Sequence, residues 1–234
     1  MHRATLGRSI RLLRAFRHEQ SDPAAFYGLL AADTLAHLGS YARLENALVL
    51  DVGAGTGDFV RAFGAAGAHC VGLDLDKGPP DTTRVIGDAQ ALPLRTGSVD
   101  VCFSSNVLEH VPEPWRMAAE MVRVTRPGGL VYLAFTNWLS PWGGHETSPW
   151  HLLGGDRAVR RYTARHGVPP KNHYGRSLFP VSVRDAMRWA EREERVTVEA
   201  VLPRYHPAWA RWIVHVPGLR EVATWNLVLV LRKR

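Results

Sequence analysis

Lysine is nearly missing from this chain of 234 residues. It occurs only at positions 77, 171 and 233, so 26 of the 29 basic residues (29 less 3) are arginine. A GC-rich coding sequence produces the same skew, so the bias does not by itself name a partner. The net charge of +7 suits an anionic partner, whether nucleic acid, an acidic substrate or an anionic lipid surface. Cysteine is scarcer still. Cys70 and Cys102 lie in apolar, strand-like runs without metal-type spacing, and read as buried free thiols of a reducing compartment. No apolar run approaches the roughly 18 residues of a membrane span. The N-terminus lacks the uninterrupted apolar core of a secretory leader. A cytoplasmic location is expected, with peripheral contact at the inner membrane surface as its variant. Repeats and low-complexity segments are also missing, and the length suits one domain with a full core and an insertion.

What is present changes character at residue 47. Before it, residues 3–18 read as a basic amphipathic helix with Leu6, Ile10 and Leu13 on one face and Arg3, Arg8, Arg11, Arg14 and Arg17 supplying charge. Such a helix either packs across the domain or lies on a membrane surface. Ser21-Asp22-Pro23 reads as the start of a second helix running from about 24 to 38. After residue 47, short β-branched runs ("ALVLDVG", "HCVGLDLD", "TTRVIGD", "VDVCFSS", "LVYLAFTN") alternate with helical stretches or short links. One helix, "PEPWRMAAEMVRVTRPGG", is expected to stop at its Pro-Gly-Gly. Residues 181–194 look helical, and two strands close the chain. This order predicts an α/β, Rossmann-like doubly wound sheet, mostly parallel with an antiparallel last strand and helices on both faces.

The loop "VLDVGAGTGDF" follows the first strand and opens a helix. Gly53, Gly55 and Gly57 allow a tight turn and close approach of a ligand to the backbone. The dinucleotide fingerprint needs a glycine at 58, where Asp58 stands, and an acid there repels a pyrophosphate. No P-loop motif occurs. The ligand therefore lacks phosphates. Asp51 suits an ammonium group, Asp74 at the second strand end suits two ribose hydroxyls, and Asp88 suits an adenine amino group. S-adenosylmethionine meets all of these conditions.

"VLDVGAGTG", "GLDLD", "GDAQALPL", "VDVCFSSNVLEHV" and "RPGGLVYLA" together resemble the ordered motifs of class I S-adenosylmethionine-dependent methyltransferases, the type 11 group in particular. The resemblance covers about residues 47–137. It implies a methionine-side loop of Asp51, Gly53, Ala54, Gly55 and Gly57. It further implies a ribose ligand at Asp74 beside Leu75, an adenine contact at Asp88-Ala89, and Asn106 against the methionine moiety. Only "KGPPD" separates strands two and three, so the helix usual there is missing or vestigial, which unsettles the contacts around Leu75 and Asp76.

Residues 138–180 break the rhythm, with a short helix expected at 156–166. In the fold implied, the loop after strand five faces the transferred methyl group. "SPWGGHETSPW", residues 140–150, is then the acceptor loop, with Trp138, Trp142 and Trp150 as substrate-binding residues. A hydroxyl acceptor needs a base. The candidates are His145 beside Glu146, then His151, then His110, each of which also reads as an ordinary structural histidine. Glu109-His110 invites a metal reading because some related O-methyltransferases pair Glu-His with further carboxylates. Asn106 stands three residues earlier in place of an acid, and no metal ligand is assigned.

Four segments follow: N-terminal helices capping the cofactor site (1–46), a cofactor-binding core (47–137), a substrate-loop insertion (138–180), and a C-terminal helix with two strands completing the same domain (181–234). The expected activity is O-methylation of a small-molecule, sugar or lipid-linked acceptor. The rival readings are an RNA or protein methyltransferase, and a non-catalytic cofactor-binding or lipid-surface protein. Nucleic acid is not the expected partner, since no appended module and no N-P-P-Y-type motif occurs; oligomeric state is left open. Trp209, Trp212, Ile213 and Val216 share helical spacing and are expected to form a packed face.

Overall fold

The computed structural model describes residues 4–16 and 22–234. Arg3, Arg17 and Ser21, which entered the expectations above, lie outside them. The order is α1 (Leu6–Phe16), α2 (Pro23–Leu38), β1 (Leu48–Val52), α3 (Asp58–Ala65), β2 (His69–Asp74), β3 (Arg84–Ile86), β4 (Val99–Ser105), α4 (Pro114–Val124), β5 (Thr125–Thr136), α5 (Gly155–His166), α6 (Val183–Arg192), β6 (Val196–Pro203), α7 (Leu219–Ala223) and β7 (Asn226–Lys233). The strands form one sheet in the order β3-β2-β1-β4-β5-β7-β6. The pairs β3-β2, β2-β1, β1-β4 and β4-β5 are parallel, and β7 runs antiparallel to both β5 and β6. Strand order reverses between β1 and β4, and ligands of such sheets bind at that crevice, outside the carboxyl ends.

The side-chain alternation of a strand explains why both faces need helices. In β5, Val131, Leu133 and Phe135 join a core with Met117 and Met121 of α4 and Val183 and Ala186 of α6. Leu130, Tyr132 and Ala134 point the other way, into a core with Leu12, Phe26 and Leu30 of the N-terminal helices and Phe59 and Phe63 of α3. β7 divides its residues likewise: Leu227, Leu229 and Leu231 on the first face, Val228 and Val230 on the second. The two closing strands thus extend the same sheet.

Three local readings are corrected. The helix before β5 ends at Val124, and Arg126-Pro127-Gly128-Gly129 belongs to β5 as an irregular segment: pairing to β4 jumps from Val99↔Thr125 to Val101↔Leu130, with Gly128 at φ +75°. In α1 the buried residues are Arg8, Ser9 and Leu12, while Leu6 and Ile10 are 56% and 43% exposed. The cause is Arg8, which is drawn inward by Asp33 of α2 (Nε to Oδ1 2.6 Å) and by the Arg204 carbonyl (2.8 Å). That pair turns the expected apolar face outward. Finally, Ala208–His215 forms a 3-10 helix that buries Ala210 and Val214 and leaves Trp209 and Trp212 71% and 52% exposed. The segment turns the small Ala210 and Val214 inward, so the tryptophan face expected to pack faces outward.

Elsewhere sequence and structure agree closely. No helix occupies residues 75–83. Cys102 is a buried free thiol as expected, while Cys70 is free but only half-buried; both are raised in pKa by burial and then by the charge of Asp51, which makes them inert. Among the described residues no helix is long and apolar enough to cross a membrane.

Candidate active site

The loop between β1 and α3 is anchored from below. Gly53 and Ala54 both donate their N–H to the Leu73 carbonyl (2.8 and 3.0 Å), next to the end of β2. Gly53 is left-handed at φ +78°, and a Cβ there would lie 2.2 Å from Val107 Cγ2, so the residue is held to glycine twice over. Gly57, also at +78°, is the residue from which α3 starts. Around Gly55 a Cβ would meet nothing within 4 Å, which leaves that backbone open to a ligand.

Asp74 binds this loop to β2. Its Oδ2 accepts from Gly55 N–H and its Oδ1 from Leu75 N–H, both at 2.8 Å. The Leu75 side chain itself is exposed. Gly87 N–H donates to the Asp74 carbonyl (2.9 Å), which brings the β3 end alongside. There Asp88 is exposed and accepts from Gln90 N–H (2.8 Å), while Ala89 is buried. Asn106 follows β4 in a left-handed conformation (φ 59°), donates its N–H to the Ala134 carbonyl and accepts from Asn226 Nδ2 (2.7 Å). Asp51 is buried with Oδ2 unpartnered. Burial pushes its pKa up to about 7, against a lowering by Arg84 and with a further rise from Asp74. A carboxylate in want of a donor, an open glycine backbone and acids at two neighbouring strand ends fit the ammonium, ribose and adenine of S-adenosylmethionine.

One residue of this site escaped the sequence reading. Arg84 donates Nη2 to the Gly55 carbonyl (2.8 Å), lies 3.8 Å from Asp74 Oδ2, and is buried. The available signal was a lone arginine opening a three-residue strand.

The insertion sorts its candidates. Residues 140–150 form turns and two short 3-10 helices, His145–Thr147 and the start of Trp150–Leu153. His151 Nε2 faces the carbonyls of Trp138 (2.9 Å) and Ser140 (3.2 Å), and its Nδ1 faces Ser148 Oγ (3.4 Å). Both ring nitrogens are occupied in holding the loop together. The Glu146 carboxylate accepts from Asn172 Nδ2 at 3.0 and 3.1 Å. The three tryptophans diverge: Trp138 packs on His151 and Tyr174, Trp142 on Phe16 and Trp225, and Trp150 under the Arg161 guanidinium.

His145 of the insertion and His110, which follows β4, do come together, with ring centroids 5.0 Å apart. Beneath them Glu109 is buried, its Oε1 accepting from Thr136 N–H at the end of β5 (2.9 Å). The returning arm of the insertion is fastened here: Phe179 N–H donates to the Glu109 carbonyl, and His110 Nδ1 donates to the Ser177 carbonyl (2.7 Å). Burial pushes the His145 pKa down to about 4, against a rise from Glu109, with His110, His151 and Lys171 lowering it further. An imidazole so depressed is neutral at pH 7 and a weak proton acceptor.

A doubly wound sheet with a phosphate-free glycine loop and acids at the ends of β1, β2 and β3 defines a methyltransferase that uses S-adenosylmethionine. The comparisons agree. The methyltransferase domain family matches residues 50–133. An uncharacterized methyltransferase of Mycobacteroides abscessus is 53% identical over 99% of this chain and 96% of its own, and one of Mycobacterium marinum is 52% identical over 99% and 96%. The chain belongs to this methyltransferase family. Among solved structures, an S-adenosylmethionine-dependent methyltransferase of Mesorhizobium loti superposes with a TM-score of 0.59 at 20% identity, covering 86% of this chain and 98% of that one. A geranyl diphosphate methyltransferase in complex with its cofactor gives 0.54 at 18%, covering 88% and 85%; these two share the fold.

Proposed function

We propose that this methyltransferase acts on a hydroxyl oxygen of a small-molecule, sugar or lipid-linked acceptor. The observation that carries the reading is the Glu109, His110 and His145 cluster. It brings a buried carboxylate and two imidazoles together near the carboxyl ends of β4 and β5, where the insertion that carries His145 meets them, and so offers groups that can hold and orient an acceptor hydroxyl. Bound at the glycine loop, S-adenosylmethionine supplies an electrophilic methyl group. The chain's share of the work is alignment and exclusion of water. The insertion, pinned by His151 and fastened to Glu109 and His110, provides the cover.

A lipid-linked acceptor is favoured within this class by the molecular surface. Leu6, Ile10, Trp209 and Trp212 are exposed near exposed Arg11, Arg14 and Arg211, and the Ala208 N–H to Ala4 carbonyl bond (2.6 Å) joins the two segments. Exposed tryptophan beside arginine suits the headgroup boundary of an anionic bilayer. Phe16, at the end of α1, reaches the insertion at Trp142 (5.3 Å).

The test supplies S-adenosylmethionine labelled in its methyl group to the protein and a host extract, then separates organic, aqueous small-molecule, protein and nucleic-acid fractions. Label in the organic or sugar fraction supports the reading. Label in RNA or protein overturns it, and would give the charge of +7 a different meaning. Cofactor binding with no label in any fraction would count for the non-catalytic alternative.

A further inference from the structure

We propose that Glu109, His110 and His145 form a binding site for one divalent cation of the zinc class. Their donor atoms lie within 4.8 Å of one another. Two of those residues present buried polar atoms without a partner, Glu109 Oε2 and His145 Nε2. Leaving a buried polar atom unmet is costly, so two in one place point to a shared missing partner. Neither atom is hydrogen-bonded to the other or to any neighbour among the described residues. A cation satisfies both at once.

The surroundings already hold the ligands in position. His110 Nδ1 lies 2.7 Å from the Ser177 carbonyl, and a carbonyl only accepts, so Nδ1 carries the proton and Nε2 keeps its lone pair. Histidine ligands are commonly oriented through such a bond from the ring's other nitrogen. Glu109 is fixed in the same manner, through Thr136 N–H on Oε1, which leaves Oε2 as the donor. His145 stands in a left-handed conformation (φ 49°), which turns it back from the insertion toward His110. Donors around a tetrahedral ion with bonds of about 2.0–2.2 Å sit roughly 3.4 Å apart. The donors lie within 4.8 Å of one another, so closing onto an ion takes at most roughly 1.4 Å (4.8 less 3.4).

Two imidazoles and one carboxylate select borderline transition metals over magnesium or calcium, which prefer all-oxygen shells. Three protein donors leave a coordination position open, as in sites that act on a substrate. In that role the site deepens the hydroxyl-acceptor reading: an ion there would hold an acceptor oxygen and favour loss of its proton to water. Metal binding itself does not depend on that reading.

The test uses the untagged full chain with Co2+ as the probe, followed by visible absorption and equilibrium dialysis, with S-adenosylmethionine binding measured in parallel by calorimetry. One Co2+ per chain with a ligand-field spectrum, competed by Zn2+, is the expected result. His145→Ala and Glu109→Gln should each weaken Co2+ binding by tenfold or more. His145→Ala should keep the affinity for S-adenosylmethionine, which also shows that the variant is folded. A wild-type chain that binds S-adenosylmethionine but no Co2+, or Co2+ binding unchanged in both variants, overturns the site and leaves the methyltransferase reading standing. Stoichiometric Co2+ with methyl label found in nucleic acid would uphold the site and overturn the small-molecule, sugar or lipid-linked acceptor.

Discussion

Gly55 donates its backbone N–H to Asp74 Oδ2 at 2.8 Å, so the carboxylate that ends β2 holds the loop that follows β1. Asp74 therefore shapes the loop, and the ribose contact proposed for it would be a second task. Asp74→Ala removes the loop contact and the proposed ribose ligand, and takes from the buried Arg84 guanidinium the carboxylate 3.8 Å away while its bond to the Gly55 carbonyl stays. Hydrogen bonds to a charged group contribute about 1.5–3 kcal/mol each. Calorimetry should show S-adenosylmethionine affinity falling by roughly ten- to a hundredfold at least, and Asp74→Asn should lose less. Equal affinity in Asp74→Ala would remove Asp74 from the site.

As the proposed partner of the cofactor's ammonium group, Asp51 should make cofactor binding depend on pH. Its pKa is raised to about 7 by burial, with Asp74 adding to the rise and Arg84 opposing it. The ammonium of the cofactor favours the ionised form, so affinity should rise as pH increases from 6 to 8, up to about tenfold per unit below the pKa. Stability runs the other way. A carboxyl whose folded pKa exceeds its unfolded value near 4 stabilises the fold fully below that value, and this contribution is lost as pH rises through about 7. Asp51→Asn should flatten the binding profile and raise the melting temperature of the cofactor-free protein at pH 8 relative to wild type. Parallel profiles for the two proteins would exclude Asp51 as the titrating group.

Gly53 and Val107 make a coupled pair across the switch between β1 and β4. Gly53→Ala places a Cβ 2.2 Å from Val107 Cγ2 at φ +78°. The clash and the left-handed strain together should cost a few kcal/mol. Adding Val107→Ala relieves the clash but not the strain, so a double-mutant cycle in thermal or denaturant unfolding should recover part of the loss. Purely additive effects would contradict the packing.

How far the sequence carried follows the physics of each segment. The sheet and the cofactor loop were legible because strand alternation, glycine spacing and acids at strand ends are all local patterns. Arg84 was not, since its importance comes from Gly55 and Asp74 meeting across strands. The outward turn of α1 depended on the Arg8–Asp33 pair, a contact between helices that periodicity cannot see. In the insertion, the sequence ranked His145 beside Glu146 first as the base, then His151, with His110 last. The left-handed backbone at His145 sends it to His110, while Glu146 goes to Asn172 and His151 to two loop carbonyls.

The exposed apolar residues give the last prediction. Leu6, Ile10, Trp209 and Trp212 are far more accessible than a packed face would leave them. With Arg11, Arg14 and Arg211 exposed on the same two segments, the wild-type chain should co-sediment with vesicles containing anionic phospholipid. Binding should weaken as salt shortens the range of the arginine charges. Replacing Trp209 and Trp212 with serine removes apolar area worth about 1.5–3 kcal/mol per buried side chain. Vesicle affinity should then drop by tenfold or more while S-adenosylmethionine affinity stays unchanged, since neither tryptophan touches the glycine loop or its acids. Sedimentation that is indifferent to lipid charge, to salt and to the double substitution would remove the bilayer as the partner of this surface, and with it the preference for a lipid-linked acceptor over a free one.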